Sequence, residues 1–122
     1  MQRTVLVLSI LFGFSATAQA ENPAWVGIWT AEPEWCQWAH LVGSHNPAPI
    51  QITQTEVNGL ENFCDVKSVD EIQPGGAWTL ALDCSSEGDT YSDQTLLMLE
   101  DNDTLWRWFG AGAPVRFTRC KE

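Results

Sequence analysis

A cross-strand cysteine pair constrains this chain more than any other feature. Residues 62–86 read Asn-Phe-Cys-Asp-Val-Lys-Ser-Val-Asp-Glu-Ile-Gln, a Pro-Gly-Gly turn, then Ala-Trp-Thr-Leu-Ala-Leu-Asp-Cys-Ser-Ser. Folding that ribbon at Pro74 sets Ile72 opposite Gly76, Asp70 opposite Trp78, Val66 opposite Leu82 and Cys64 opposite Cys84. Opposed residues of antiparallel strands stand about 4.5–5.5 Å apart at Cα, and a disulfide spans about 4.4–6.8 Å. The register therefore implies a Cys64–Cys84 bridge. Cys36 and Cys120 remain, and pairing them ties the beginning of the domain to its end.

The pairing presumes an oxidising compartment, and the amino terminus points to one. Arg3, an apolar run over residues 5–14 and Ala18-Gln19-Ala20 together read as a signal peptide over residues 1–20. The apolar run is too short to span a bilayer, which takes about 20 residues, and no other stretch approaches that length. Glu21 rather than a cysteine follows the cut, so a lipid anchor is not expected. Residues 21–122 are then a single domain, soluble and monomeric, in the periplasm or secreted. An even count of cysteines in a small exported chain reads as disulfides. No Cys-x-x-Cys pair points to zinc or to thiol–disulfide exchange.

With 16 Asp and Glu against 6 Lys and Arg, the net charge is −10. That excludes the basic footprint of a nucleic-acid binder. An acidic surface keeps a small protein soluble and also attracts basic proteins.

Along the chain, residues 25–30 alternate as a first strand with Trp25, Gly27 and Trp29 on one face. Residues 32–40 read as a short helix, with Pro33 early, Glu32 and Glu34 in the first turn, and Trp35, Trp38 and Ala39 on one face. Residues 43–49 are loop. Asn58-Gly59 marks a hairpin between residues 50–57 and the strand from Leu60. A two-residue turn there opposes Glu56 to Glu61 and splits the apolar face, so a three-residue bulged loop that pairs Ile52 with Val66 is expected. A turn centred on Gly88 sets Trp78 against Met98, and one centred on Asn102 sets Met98 against Trp106. Residues 110–113 turn the chain into a last strand, where Val115, Phe117 and Arg119 share a face. Six to eight short antiparallel strands, one short helix and two disulfides make the fold class all-β, a small antiparallel β-barrel.

Seven tryptophans are many for 122 residues. Trp78, Trp106 and Trp108 are the candidate ligand-binding set: stacked indoles either line a pocket or supply core bulk. Leu97, Leu99, Leu105 and Phe109 then form a second apolar face, which the helix carrying Trp35 and Trp38 would cover. His40 and His45 are four residues of loop apart, and a loop histidine is solvated rather than a metal ligand. Asp101, Asn102 and Asp103 read as a turn rather than a calcium loop. Glu87 and Asp89 sit at a wet hairpin tip, unsuited to acid–base work. Neither an enzyme nor a cofactor is expected.

Gly27-Ile28-Trp29 with the distant Arg119 resembles the lipocalin-like (calycin) pattern. That resemblance implies a barrel closed at one end by Trp29 packed under Arg119. The Trp-x-Gly-x-Trp start, the four cysteines and the final Arg-Cys also resemble small exported proteobacterial proteins of no assigned activity. Residues 85–91 (Ser-Ser-Glu-Gly-Asp-Thr-Tyr), followed by Trp106-Arg107-Trp108, resemble periplasmic inhibitors of c-type lysozyme, with Glu87 inserted between Ser86 and Gly88. This implies an inhibitory loop of Ser86, Gly88 and Tyr91. The expected function is binding without chemistry or an envelope-accessory role, with an unidentified small molecule or a basic protein as partner. The alternative is inhibition of a basic enzyme such as lysozyme.

Overall fold

Eight antiparallel strands, each bonded to its neighbours in chain order, close into a barrel. The computed structural model describes Gly13 and residues 22–121. The signal peptide expected over residues 1–20 thus lies, Gly13 apart, outside the described residues. The strands are β1 Gly27–Thr30, β2 Ile50–Ile52, β3 Glu56–Gly59, β4 Asn62–Gln73, β5 Ala77–Ser86, β6 Asp89–Asp101, β7 Thr104–Trp108 and β8 Val115–Arg119. Closure comes from β1 pairing β8, with Trp29 opposite Arg119 and Thr30 opposite Thr118. Trp29, Leu80, Leu97 and Leu105 are fully buried, with Ile52 and Leu82 close behind. Among the described residues no helix is long and apolar enough to cross a membrane.

Both disulfides form as the pairing implies. Cys64 faces Cys84 in the ladder, with Cα atoms 4.0 Å apart. Cys36–Cys120 joins residues 84 apart in sequence. Below the first bridge, Val66 still faces Leu82, but a bulge at Lys67 then sets Ser68 opposite Ala81, Asp70 opposite Thr79 and Glu71 opposite Trp78. The expected Asp70–Trp78 pairing is corrected by one residue. Val66 and Val69 are three apart, so in a regular strand they would face opposite sides. One extra residue between them puts both on the face that carries Leu82 and Leu80, although Val69, beyond the end of β3, stays exposed.

Two turns also differ from expectation. Residues 50–57 are not one strand, because Thr53 Oγ1 accepts from the Thr55 and Glu56 N–H groups at 3.3 and 3.0 Å. This side-chain-to-backbone turn sets Ile52 opposite Val57 rather than Val66. Asn58-Gly59 then lies within β3, Gly59 faces Asn62, and the tight turn is Leu60-Glu61. Between β5 and β6, Glu87 and Gly88 both take positive φ, 51° and 85°, as a two-residue hairpin turn requires. Ser86 therefore faces Asp89, and the register shifts by one from a turn centred on Gly88.

That single step exchanges the two faces of β6. Trp78 faces Leu97 instead of Met98, so the expected row of Trp78, Met98 and Trp106 does not form. The β6–β7 register is as expected, with Met98 opposite Trp106 and Leu96 opposite Trp108, but those pairs lie on the outside. Leu97 and Leu105, expected under the helix, are core residues, and Arg107 shares their inward face.

Residues 33–41 wind as a 3-10 helix, broken at Trp38, with no buried residue. It packs beside β1, pinned by Cys36 to Cys120. Three residues per turn put Trp35 and Trp38 in line, and Trp38 stacks on His45 with ring centroids 5.1 Å apart.

Candidate functional site

One barrel end is plugged. Arg119 lies over Trp29, its guanidinium carbon 4.2 Å from the ring centroid. Its Nε donates to Asn102 O at 2.8 Å, Nη1 to Val26 O at 2.8 Å and Nη2 to Ala24 O at 2.6 Å. Trp29 Nε1 donates to Trp25 O at 3.0 Å. A Cβ on Gly27 would run into Arg119 Nη1, which explains a glycine two residues before the tryptophan. The Trp29–Arg119 contact expected from the lipocalin-like resemblance is present.

At the opposite end a cup of about 220 Å³ opens between the β3–β4 turn and the start of β6. Ile50, Val57, Leu60 and Phe109 make apolar walls, and Asn62, Tyr91, Asp93 and Arg107 bring polar groups. Strand alternation explains the set. Cys84 faces Tyr91, Leu82 faces Asp93 and Leu97 faces Arg107, all in phase with the core. Leu60 and Phe109, each 44 % exposed, and Tyr91, 41 %, form an apolar rim. Tyr91 donates its hydroxyl to Asn62 Oδ1 at 3.2 Å.

Arg107 is the unusual member. It is 8 % exposed, its Nε donates to Thr95 Oγ1 at 3.0 Å, and Thr95 in turn donates to Trp108 O at 3.3 Å. Its guanidinium carbon lies 4.4 Å from the Phe109 ring centroid. Burial pushes its pKa down to about 10, against the opposing pull of Asp93 and Tyr91, so it is charged at neutral pH. Ion pairs among the described residues join Lys67 to Asp83, Arg116 to Glu100 and Lys121 to Asp103, and none includes Arg107. A buried cation without a bonded carboxylate is unfavourable in an apolar setting. The Asp93 carboxylate, which lines the same cup, offsets part of that cost.

The expected tryptophan set is not one site. Trp78 is in the core, donating Nε1 to Glu71 Oε2 at 3.2 Å. Trp106 and Trp108 lie on the outer face, and Trp108 donates Nε1 to Gly112 O at 3.0 Å. The faces separate because of the one-residue shift at Glu87-Gly88. Of the loop residues, Ser86 and Gly88 line a shallow groove beside Phe63 and Glu61, whereas Tyr91 lines the cup. His45 donates Nδ1 to Pro47 O at 2.8 Å. Asp101, Asn102 and Asp103 form a turn in which Asp103 N–H donates to Asp101 Oδ1 at 2.8 Å. That bond, aided by the Thr104 hydroxyl, holds the Asp101 carboxyl below its ordinary pKa.

Alternation puts Arg107 in phase with Leu105 and Phe109, on the apolar face expected outside the barrel; the structure corrects this, turning Arg107 inward opposite Leu97. The signal was present in Leu105-x-Arg107-x-Phe109, one charge inside an apolar alternation, but its inward sense depended on the β5–β6 register. Outside the barrel, Glu56 faces Asp65 and Asp65 faces Asp83, a row of three carboxylates across β3, β4 and β5. Compared with known proteins, the chain matches no family model, no curated protein and no solved structure.

Proposed function

We propose that this protein is a non-enzymatic binding barrel, exported to the periplasm or secreted, whose mouth takes a small amphipathic carboxylate. The charged Arg107 at the floor of an apolar cup carries this reading. The carboxylate pairs with the guanidinium beside Tyr91 and Asn62, and the apolar part lies along Ile50, Val57 and Phe109. At roughly 30 Å³ per heavy group, as for liquid water, the cup holds about seven such groups, and a longer chain continues over the Leu60–Phe109 rim. Two disulfides fit an oxidising compartment.

Calorimetric titration with straight-chain carboxylates of increasing length, and with their primary amides, tests the reading. A charge-assisted hydrogen bond is worth about 1.5–3 kcal/mol. Arg107→Leu is expected to weaken carboxylate binding at least tenfold while the amides bind poorly to both proteins. Equal affinity for acid and amide, or for wild type and Arg107→Leu, sinks the proposal.

A second reading has its own observation. Like charges directly opposed across strands are destabilising, and Lys67 reaches only Asp83 of the outer row, at 3.6 Å. That face suits a basic protein such as lysozyme, with the exposed Glu87-Gly88 tip as the projecting element. Contacts made by surface charge alone are screened beyond about 8 Å at physiological salt. Lysozyme is therefore expected to keep full activity with the purified protein at moderate salt. Inhibition that persists there and vanishes with Ser86→Ala and Tyr91→Ala reverses the order of the two readings.

A further inference from the structure

Strand β4 runs twelve residues and β3 only four. Their ladder ends at Glu56 opposite Asp65, and one more bond follows, Val66 N–H to Thr55 O at 2.8 Å. Beyond it, the side of residues 67–73 that faces β3 meets no backbone partner among the described residues. Val66 directs its N–H toward β3. In two-residue steps past the bulge at Lys67, Val69 and Glu71 direct their N–H and C=O groups into the same open edge. Beneath that edge lies a groove of about 530 Å³ lined by Val69, Glu71, Trp78, Trp25, Gln54 and Pro23. Val69 is 40 % exposed, and Ile72, at 58 %, is the most exposed large apolar side chain among the described residues.

We propose that this open edge of β4 docks an extended, basic segment of another protein, which adds as a further strand and seats an apolar side chain in the Val69–Trp78 groove. Unpaired edges template strand addition, with main-chain bonds supplying affinity and alternate side chains supplying choice. Charge selects the partner. Asp70 and Glu71 sit at the centre of the edge, and the neighbouring Lys67 is held by Asp83 at 3.6 Å. A second copy pairing antiparallel about Glu71 would set that carboxylate against its own counterpart, which is repulsive. The same carboxylates attract a strand that alternates basic and apolar residues. The site is remote from the cup and does not depend on it.

The test uses a blocked heptapeptide alternating Lys and Val, at about 150 mM salt, where diffuse charge attraction is screened. Amide exchange in the full chain is read by NMR. Val69 and Glu71 are expected to be protected at least tenfold by the peptide. A peptide of the same charge, N-methylated at alternate residues so that it cannot pair, should protect neither. Glu71→Gln keeps an acceptor for Trp78 Nε1, so the fold is retained while peptide affinity falls several-fold. Arg107→Leu should leave the effect unchanged. Equal action of the N-methylated peptide, absence of protection at Val69 and Glu71, or protection of that edge by self-association without peptide each overturns the proposal.

Discussion

Replacing Cys36 and Cys120 together by alanine is expected to remove about 4.5 kcal/mol of stability, against about 3 kcal/mol for Cys64 and Cys84. The difference follows from loop length: the first bridge joins residues 84 apart and the second residues 20 apart. A constraint on a longer loop removes more freedom from the unfolded chain. A domain of this size is stable by only about 5–15 kcal/mol in total, so the first variant loses a large share. Its effect is also local, because the 3-10 helix has no buried residue and is tied to the end of β8 through Cys36. Urea unfolding at constant m-value measures both losses. Equal midpoints, or a larger loss for Cys64 and Cys84, would show that closure does not rest on the outer bridge.

Arg119→Ala is expected to cost about 3 kcal/mol, from three charge-assisted bonds to backbone carbonyls and the contact with Trp29. Gly27→Ala acts through the same guanidinium, since the added methyl would displace Nη1, and should lose a smaller amount in the same direction. Arg107 behaves differently although it is the more buried arginine. Its folded pKa lies below the unfolded value, so the fold disfavours its charged form. That penalty is present at every pH below about 10 and fades as pH rises from about 10 toward the unfolded value. Replacing a desolvated charge by an apolar side chain of similar volume is often neutral or stabilising. Arg107→Leu should therefore melt at or above the wild-type midpoint while losing carboxylate binding. Urea melts of the two arginine variants decide the matter, and a loss for Arg107→Leu equal to that of Arg119→Ala contradicts it.

Local chemistry made several features legible. The Pro-Gly-Gly turn and the even spacing of Cys64 and Cys84 about it determined the central hairpin and its bridge, and elimination then paired Cys36 with Cys120. The contact of Trp29 with Arg119 was expected only through the lipocalin-like resemblance; alternation with Val115 and Phe117 supplied no more than the inward sense of Arg119. The β6–β7 register followed from a turn that Asp101 and Asn102 mark by composition. Other features depended on partners distant in sequence. Whether Leu97 or Met98 faces inward turns on one residue at Glu87-Gly88, and both faces of β6 are apolar, so alternation alone does not choose. The barrel chose, since Thr95, Leu97 and Arg107 must share an interior with Trp78 and Leu80. Asn58-Gly59 lost its turn to Leu60-Glu61 because Val57 and Cys64 pack on the same core. The cup and the open edge of β4 were beyond local reading for the same reason. Each is a space left where strands of unequal length meet, and strand length is decided by what the neighbouring strands bury.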